Sequence, residues 1–196
     1  GSRYQYSNPA FNGLALIIEK ITGAKWQQFV RKEIFHAADM TESDITDGAH
    51  PESGVAHAYV KEDGKFKELD YGEEPTFCAA GNGGIWCSVT DLHKYYLALQ
   101  QPVFLDEEII TNSMQVKKFN EWKSEKEPAV GYSWFITKTV NGLHRVGHTG
   151  SQGGFRADFE FVPDKKIFIG MLFNMPYEVK PLTEKIEKIL TEEKLL

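Results

Sequence analysis

Three short segments of the sequence combine polar side chains with small residues in otherwise apolar surroundings. They are Tyr6-Ser7-Asn8, Gly81-Asn82-Gly83-Gly84, and the run from Gly147 to Gly154, which reads Gly-His-Thr-Gly-Ser-Gln-Gly-Gly. Their hydroxyl, imidazole, carboxamide and main-chain N–H groups can hydrogen-bond to a ligand. The glycines allow a ligand to lie close against the main chain, because they have no Cβ. We therefore treat these segments as the candidates for a functional site.

The first segment predicts the start of a helix. Asn8 is a favourable N-cap, and Pro9 would occupy the first helical position, where its missing N–H has no effect. Gly23 is expected to end the helix. The residues predicted to face inward have helical spacing: Phe11, Leu14, Ile18 and Ile21. A second helix is predicted from about Lys25 to Phe35.

The middle of the chain carries the next group of signals. Asp63-Gly64 is a hairpin turn signal between two predicted strands, 55–60 and 65–69. Ser88 followed by Asp91 resembles a capping box, which predicts a helix after Ser88. A further helix is predicted from Asp106 to about Phe119.

The last third of the chain changes to a strand pattern. Strands are predicted over 132–137, 143–147, 155–162 and 166–174, with a hairpin turn at Asn141-Gly142. The His-Thr-Gly run would then lie at the end of a strand. The chain closes with a predicted amphipathic helix over 181–196, with Leu182, Ile186, Ile189 and Leu190 facing inward. The expected class is α+β: a mainly helical region, 3–127, followed by an antiparallel sheet with a C-terminal helix, 128–196.

Composition restricts the classes of function. The chain has 196 residues with a net charge of −6 and no dense Lys/Arg run, which argues against a nucleic-acid partner. No stretch has the apolar length of a membrane span. Gly1-Ser2 resembles the scar of a cleaved tag, so we expect the native N-terminus, and any targeting signal with it, to be missing.

Cysteine and histidine spacing leaves two questions open. Cys78 and Cys87 could form a disulfide in an oxidising compartment, or both could be buried free thiols. His144 and His148 are four residues apart, but on a strand this spacing lacks the helical geometry of zinc motifs. We predict no metal and no other cofactor.

Taken together, the three segments resemble the serine β-lactamase and penicillin-binding protein superfamily, in its class C-like branch of D-amino-acid peptidases and esterases. Tyr-Ser-Asn opens a helix, Ala-Ala-Gly-Asn-Gly-Gly follows at 79–84, and His-Thr-Gly stands at 148–150, in the family's order. The fragments at 161–166 and 172–174 resemble the family's last strands. The resemblance covers nearly the whole chain.

The resemblance implies acyl transfer. In this family a serine in a Ser-x-x-Lys motif attacks a carbonyl, and water or another acceptor releases the acyl group. Tyr6 would be the general acid/base, and Asn8 would bind the substrate's amide. His148, where many members have lysine, would line the substrate strand with Thr149 and Gly150, and the N–H of Ser151 would contribute to the oxyanion hole. The implied substrates are D-Ala peptides, β-lactams or small esters, and the implied compartment is extracytoplasmic.

The chain departs from the family at the nucleophile. None of the nine serines is followed by lysine at the third position. The motif precedes Tyr-x-Asn in the family, so the chain resembles the C-terminal part of a larger hydrolase, and this chain alone is expected to be inactive. We expect either a homodimer or a missing N-terminal segment to cover the apolar faces of the sheet and the last helix. The alternative function is a non-catalytic domain of the same fold that binds a peptide or partner.

Each site residue also has a purely structural interpretation. Asn8 could serve only as a cap and Tyr6 as an aromatic residue packed on the helix start. His148 could be a structural histidine on a strand, and Gly81 to Gly84 a plain loop.

Overall fold

The computed structural model describes residues 2–46, 53–69, 81–119 and 129–196. The chain folds as two compact units. We call Gln5–Phe104 with Gln152–Gly154 the helical unit, and Gly1–Tyr4, Leu105–Ser151 and Phe155–Leu196 the sheet unit.

The helical unit begins with α1 (Asn8–Thr22), whose N-cap is Ser7 and not Asn8 as predicted. Ser7 has an extended backbone, and its Oγ accepts a hydrogen bond from the N–H of Ala10 at 3.3 Å. Because Ser7 satisfies this first-turn N–H, Asn8 becomes the first helical residue. Gly23 ends the helix in the left-handed conformation, as predicted.

The inward face of α1 differs from the prediction. Ala15 is the buried residue of this helix, and Ile18 packs against the core, whereas Phe11, Leu14 and Ile21 are exposed. The helix therefore contacts the described part of the chain along a narrow stripe, and the spacing of apolar residues alone could not show which side that stripe lies on.

α2 (Trp26–Val30) continues into a π-helical turn (Arg31–His36), which confirms a second helix close to the predicted bounds. Trp26, Val30 and Phe35 lie in the main core of this unit. The buried members of that core are Ala15, Trp26, Val30, Phe35, Ala38, Met40, Ile45 and Ala98.

The described part of this unit also contains two small antiparallel strand pairs and the helix α3 (Val89–Leu99). β1 (Asp44–Ile45) pairs with β4 (Ile85–Trp86), and β2 (Ala58–Glu62) pairs with β3 (Lys65–Leu69). The turn between β2 and β3 is Asp63-Gly64, as predicted, and both residues have positive φ.

α3 has the predicted cap but not the reciprocal bond of a capping box. Ser88 Oγ accepts from the N–H of Asp91 at 3.1 Å. The Asp91 carboxylate instead accepts from Glu42 N–H at 2.8 Å and from Ser43 Oγ at 2.7 Å. Asp91 therefore ties the loop before β1 to the start of α3.

The sheet unit holds a five-stranded sheet in which the spatial order of the strands follows the sequence order. The strands are β5 (Ala129–Val130), β6 (Phe135–Lys138), β7 (His144–Gln152), β8 (Phe155–Val162) and β9 (Ile167–Phe173). The turn before β7 contains Asn141-Gly142, with Gly142 at φ 80°, as predicted. This sheet, followed by a helix, confirms the predicted α+β class.

α4 (Glu107–Ser113) is shorter than the helix predicted over 106–119. Met114 is its C-cap. The N–H of Lys117 then donates to the carbonyl oxygen of Val130 at 2.8 Å. The segment after α4 thus bonds to the sheet, and this long-range contact overrides the helical pattern.

α5 (Val179–Glu192) lies close to the predicted bounds, but its buried positions are Thr183 and Glu187. Leu182, Ile186 and Leu190 are partly buried, whereas Ile189 is exposed, so the prediction for Ile189 was wrong. Thr183 and Glu187 are polar and were not considered for the inward face, yet their hydrogen-bond partners lie on the sheet.

Candidate functional site

Tyr6 and Asn8 lie at the start of α1 in the helical unit. Both side chains are exposed, while Ser7 between them is used as the cap. The first turn of a helix presents N–H groups and the positive end of the helix dipole. A phenol and a carboxamide are therefore held beside this turn on a rigid element.

The Gly81–Gly84 segment packs against α1. Gly81 has φ +92°, and a Cβ there would lie 2.6 Å from the carbonyl oxygen of Phe11 and 2.9 Å from the Cβ of Ala15. Glycine is required at 81 because other residues rarely adopt this φ and because the helix backbone leaves no space. Ala79 and Ala80, the start of this motif, lie outside the described residues.

The turn Gln152–Gly154 also belongs to the helical unit. A Cβ on Gly83 would lie 2.3 Å from Oε1 of Gln152, so the side chain of Gln152 lies directly against the glycine loop. Gly153 and Gly154 have φ values of 53° and 82°, which suit the two central residues of a tight hairpin turn. α1, the glycine loop and this turn are thus joined by contacts within one unit.

His148, Thr149, Gly150 and Ser151 are consecutive residues of β7 in the sheet unit. The prediction that the motif ends a strand needs correction, because β7 continues to Gln152. β6 pairs with β7 only from His144 to Gly147, and β7 runs past the end of β6. Thr149, Gly150 and Ser151 are exposed on this extension.

The imidazole of His148 has a defined orientation. Its Nδ1 lies 2.6 Å from the carbonyl oxygen of Thr149, a geometry in which Nδ1–H donates. The ring also lies 4.9 Å from that of Phe135, measured between centroids. His148 is half-buried, so this contact holds the ring at one position on the strand.

Gly147 allows β7 and β8 to pack closely just before the motif. A Cβ on Gly147 would lie 2.4 Å from the carbonyl oxygen of Phe159. The predicted site residues thus fall into two groups, each held together within its own unit: Tyr6 with Asn8, and His148 with the three residues after it.

The sequence pattern did not predict a polar cluster formed by side chains of β7, β8 and α5. Arg145 contacts Glu160 and Glu187, and Asp158 bonds to Thr183. Burial raises the pKa of Glu160 to about 7, with further increases from Asp158 and Glu187 that outweigh the opposing effect of Arg145. The available signal was the pair of acidic residues at alternate positions of a strand whose other members are mostly apolar.

Cys87 is a free thiol. Burial, and then the negative charge of Asp91, raise its pKa to about 11, which makes it a poor nucleophile near neutral pH. Cys78 lies outside the described residues. Within the described ranges, no group of three His, Cys, Asp or Glu side chains could hold a metal ion.

Comparison with solved structures shows the fold. The penicillin binding protein from Bacillus halodurans matches with a TM-score of 0.81 and 23% identity, over 96% of this chain and 56% of its own. The octameric penicillin-binding protein homologue from Pyrococcus abyssi matches with a TM-score of 0.81 and 25% identity, over 98% of this chain and 43% of its own. D-amino acid amidase from Ochrobactrum anthropi SV3 matches with a TM-score of 0.78 and 19% identity, over 98% of this chain and 58% of its own.

This chain therefore spans about half the length of the structures to which it is similar. A search of curated protein sequences found no match. A family profile does match: the profile described as Beta-lactamase aligns with residues 1–192, which is nearly the whole chain. On that match and the shared fold, the chain belongs to the Beta-lactamase family, as its Tyr-Ser-Asn and His-Thr-Gly segments predicted.

Proposed function

We propose that this chain is the C-terminal part of a serine hydrolase that transfers an acyl group from an amide or ester. The observation that supports this most is the placement of the two motifs on rigid elements in a chain of the Beta-lactamase family. Tyr6 and Asn8 stand at the start of a helix, and His148 to Ser151 stand on an exposed strand extension.

Each residue has a proposed role. Tyr6 serves as the general acid/base that takes the proton from the attacking hydroxyl and passes it to the leaving group. Asn8 hydrogen-bonds the amide of the substrate. His148, Thr149 and Gly150 line the bound substrate, and the N–H of Ser151 donates to the oxyanion that forms in the transition state.

The nucleophile is not among these 196 residues, since no serine is followed at the third position by lysine. Catalysis then needs a Ser-x-x-Lys motif from residues outside this chain. The matched structures are about twice as long as this chain, which leaves room for such a motif in a longer protein.

The proposed substrates are amides or esters, among them compounds with a D-configured residue next to the cleaved bond. Two similar structures are named for D-configured substrates, D-stereospecific amidohydrolase and D-amino acid amidase, and a third is named penicillin binding protein. We propose D-Ala peptides, D-amino acid amides, β-lactams or small esters for this protein, and an extracytoplasmic location. No helix in the described ranges is both long enough and apolar enough to cross a membrane.

The proposal is tested by the hydrolysis of D- and L-alanine amides in a longer protein that includes the upstream motif. Tyr6→Phe should lower kcat by about 100-fold or more, which is the usual size of a general acid/base effect. Tyr177→Phe is a matched control, because Tyr177 is also an exposed tyrosine but stacks on Phe173. Equal activities of the two variants would refute the role of Tyr6.

A second candidate is a non-catalytic domain of the same fold that binds a peptide or partner. The absence of Ser-x-x-Lys from the chain favours it. The codons upstream of Arg3 discriminate between the two. A reading frame that encodes Ser-x-x-Lys supports the enzyme, and a start codon directly before Arg3 supports the binding domain.

We also propose that the chain associates, either as a homodimer or with a companion segment. α1 carries a stripe of exposed apolar residues with 3–4 spacing: Leu14 is 50% exposed, Ile17 52% and Ile21 79%. Such a stripe is typical of a helix that packs against another helix. Light scattering should show a dimer or larger species for the chain alone; a stable monomer that exposes this stripe would refute the homodimer.

A further inference from the structure

Four charged side chains meet between the sheet and α5 in the sheet unit. Arg145 comes from β7, Asp158 and Glu160 from β8, and Glu187 from α5. Asp158 and Glu187 are each 1% exposed, and the side chains of Arg145 and Glu160 are each 16% exposed. One guanidinium thus shares a largely buried space with three carboxyl groups.

Both carboxylate oxygens of Glu187 accept hydrogen bonds. Nη1 of Arg145 donates to Oε1 of Glu187 at 2.5 Å, and the N–H of Val140 donates to Oε2 at 3.1 Å. Nε of Arg145 donates to Oγ1 of Thr137 at 3.0 Å. Each oxygen of the Glu187 carboxylate thus accepts one hydrogen bond.

Asp158 and Glu160 have fewer donors. Nε of Arg145 lies 3.6 Å from Oε2 of Glu160, which is too far for a hydrogen bond. Oε2 of Glu160 and Oδ1 of Asp158 are buried and accept no hydrogen bond from the described residues. Thr183 Oγ1 lies 3.2 Å from Oδ2 of Asp158 and can donate to it.

We propose that this cluster is a proton-binding site, in which Glu160, together with Asp158, retains at least one proton at neutral pH. Three ionised carboxylates against one guanidinium would leave two uncompensated negative charges in a buried space, which is strongly unfavourable. One bound proton reduces the excess to one charge, and a second removes it. A protonated carboxyl group also supplies an O–H donor to its neighbour.

The burial of Glu160 and Asp158 and the residues beside them on β9 support a proton bound at these two carboxyl groups. Burial is the largest cause that raises the pKa of Glu160, to about 7, and it also raises the pKa of Asp158 against the opposing effects of Thr183 and Arg145. The strand β9 places Met171 beside Asp158 and Ile169 beside Glu160, so no charge is added from that side. Arg156 lies on the same strand face as both acids but forms none of the ion pairs of the cluster.

The bound proton links pH to the attachment of α5. The pKa of Glu160 is higher in the folded chain than the ordinary value of 4.5, so the folded state binds more protons than the unfolded state between about pH 4.5 and 7. Stability contributed by this group is therefore present below pH 4.5 and is lost as the pH rises to 7. Above pH 7 ionised Glu160 adds a negative charge beside Asp158 in the buried space under α5.

The first test compares the melting temperature of the chain with that of Glu160→Gln at pH 5, 6, 7 and 8. Glutamine has the same shape and cannot ionise. The melting temperature of the variant should be close to that of the wild type at pH 5. At pH 8 it should be higher than that of the wild type by roughly 5 °C, because the variant has no carboxylate to ionise at position 160. Glu184→Gln is the matched control, because Glu184 lies on the exposed side of α5.

A second measurement needs no variant to fold. The side-chain carboxyl carbon of Glu160, followed by NMR in the wild-type chain, should titrate with a midpoint near pH 7 and not near 4.5. Either a melting difference that is the same at every pH, or a Glu160 midpoint below pH 5, overturns the proposal.

Discussion

At the scale of single residues, three glycines of the helical unit have different surroundings. Gly81 has positive φ and faces the backbone of α1. Among the described residues, Gly83 faces only the flexible end of the Gln152 side chain, and no atom lies within 4 Å of a Cβ built on Gly13 in α1. The neighbours of each glycine therefore determine the cost of adding a methyl group.

These surroundings predict a ranked series of substitutions. Gly81→Ala should lower the free energy of unfolding by more than about 2 kcal/mol, from strained φ and a clash with backbone. Gly83→Ala should cost less than about 1 kcal/mol, because Gln152 can adopt another rotamer. Gly13→Ala should stabilise by about 0.5–1 kcal/mol, since alanine favours a helix. Urea unfolding measures the free energy of unfolding of the three variants and so ranks them. If Gly83→Ala were the most destabilising of the three, the contacts assigned to these glycines would be wrong.

The contact between Gly83 and Gln152 gives a separate prediction. Any cost of Gly83→Ala should disappear when Gln152→Ala is also present, because the atom that clashes is then absent. A double-mutant cycle in urea measures this coupling. Full additivity of the two substitutions would show that Gln152 does not rest on the glycine loop.

Residue types alone indicated the candidate site, but not all of its local geometry. The sequence predicted the helix start at Tyr6-Ser7-Asn8, yet Ser7 and Asn8 are both good caps, and only the Ser7–Ala10 bond decides between them. The role of Asp91 was also missed, because its partners Glu42 and Ser43 lie nearly 50 residues away in the sequence. Hydrogen bonds over such distances depend on packing that a local pattern does not encode.

At the scale of elements, α5 is held to the sheet by buried charge as well as by apolar contact. Arg145 joins β7 to Glu187 of α5, and the same strand carries His148 to Ser151 three to six residues later. Hydrophobic periodicity predicted the length of α5 but assigned Ile189 inward, because it gave no weight to Thr183 and Glu187. Polar residues on a buried face are recognised only with their partners.

Removal of the Arg145 guanidinium, which joins β7 to α5, should be strongly destabilising. Arg145→Ala leaves Glu187 buried without its partner, and we expect a loss of about 3–5 kcal/mol in the free energy of unfolding. Lys188→Ala is the control, since Lys188 forms an exposed pair with Glu192 at 4.0 Å on the same helix and should change stability by less than about 0.5 kcal/mol. Chemical unfolding of both variants tests this, and equal losses would show that the buried pair does not anchor α5.

At the scale of the whole molecule, the family and the α+β class were predictable from the order of a few short motifs, and the profile match over residues 1–192 confirms the family. The exposed stripe on α1 was not predicted, because spacing identifies an apolar face without showing what covers it. The exposed stripe and the absence of Ser-x-x-Lys are the two observations from which we propose that residues beyond these 196 take part in function.

Intact-mass spectrometry after incubation with a β-lactam tests the central proposal most directly. The 196-residue chain should show no covalent adduct. A longer protein that includes an upstream Ser-x-x-Lys should gain the mass of one β-lactam, and its Tyr6→Phe variant should acylate more slowly. A stoichiometric adduct on the 196-residue chain, or no acylation of the longer protein, would contradict the proposal that Tyr6, Asn8 and His148 to Ser151 serve a nucleophile supplied from outside this chain.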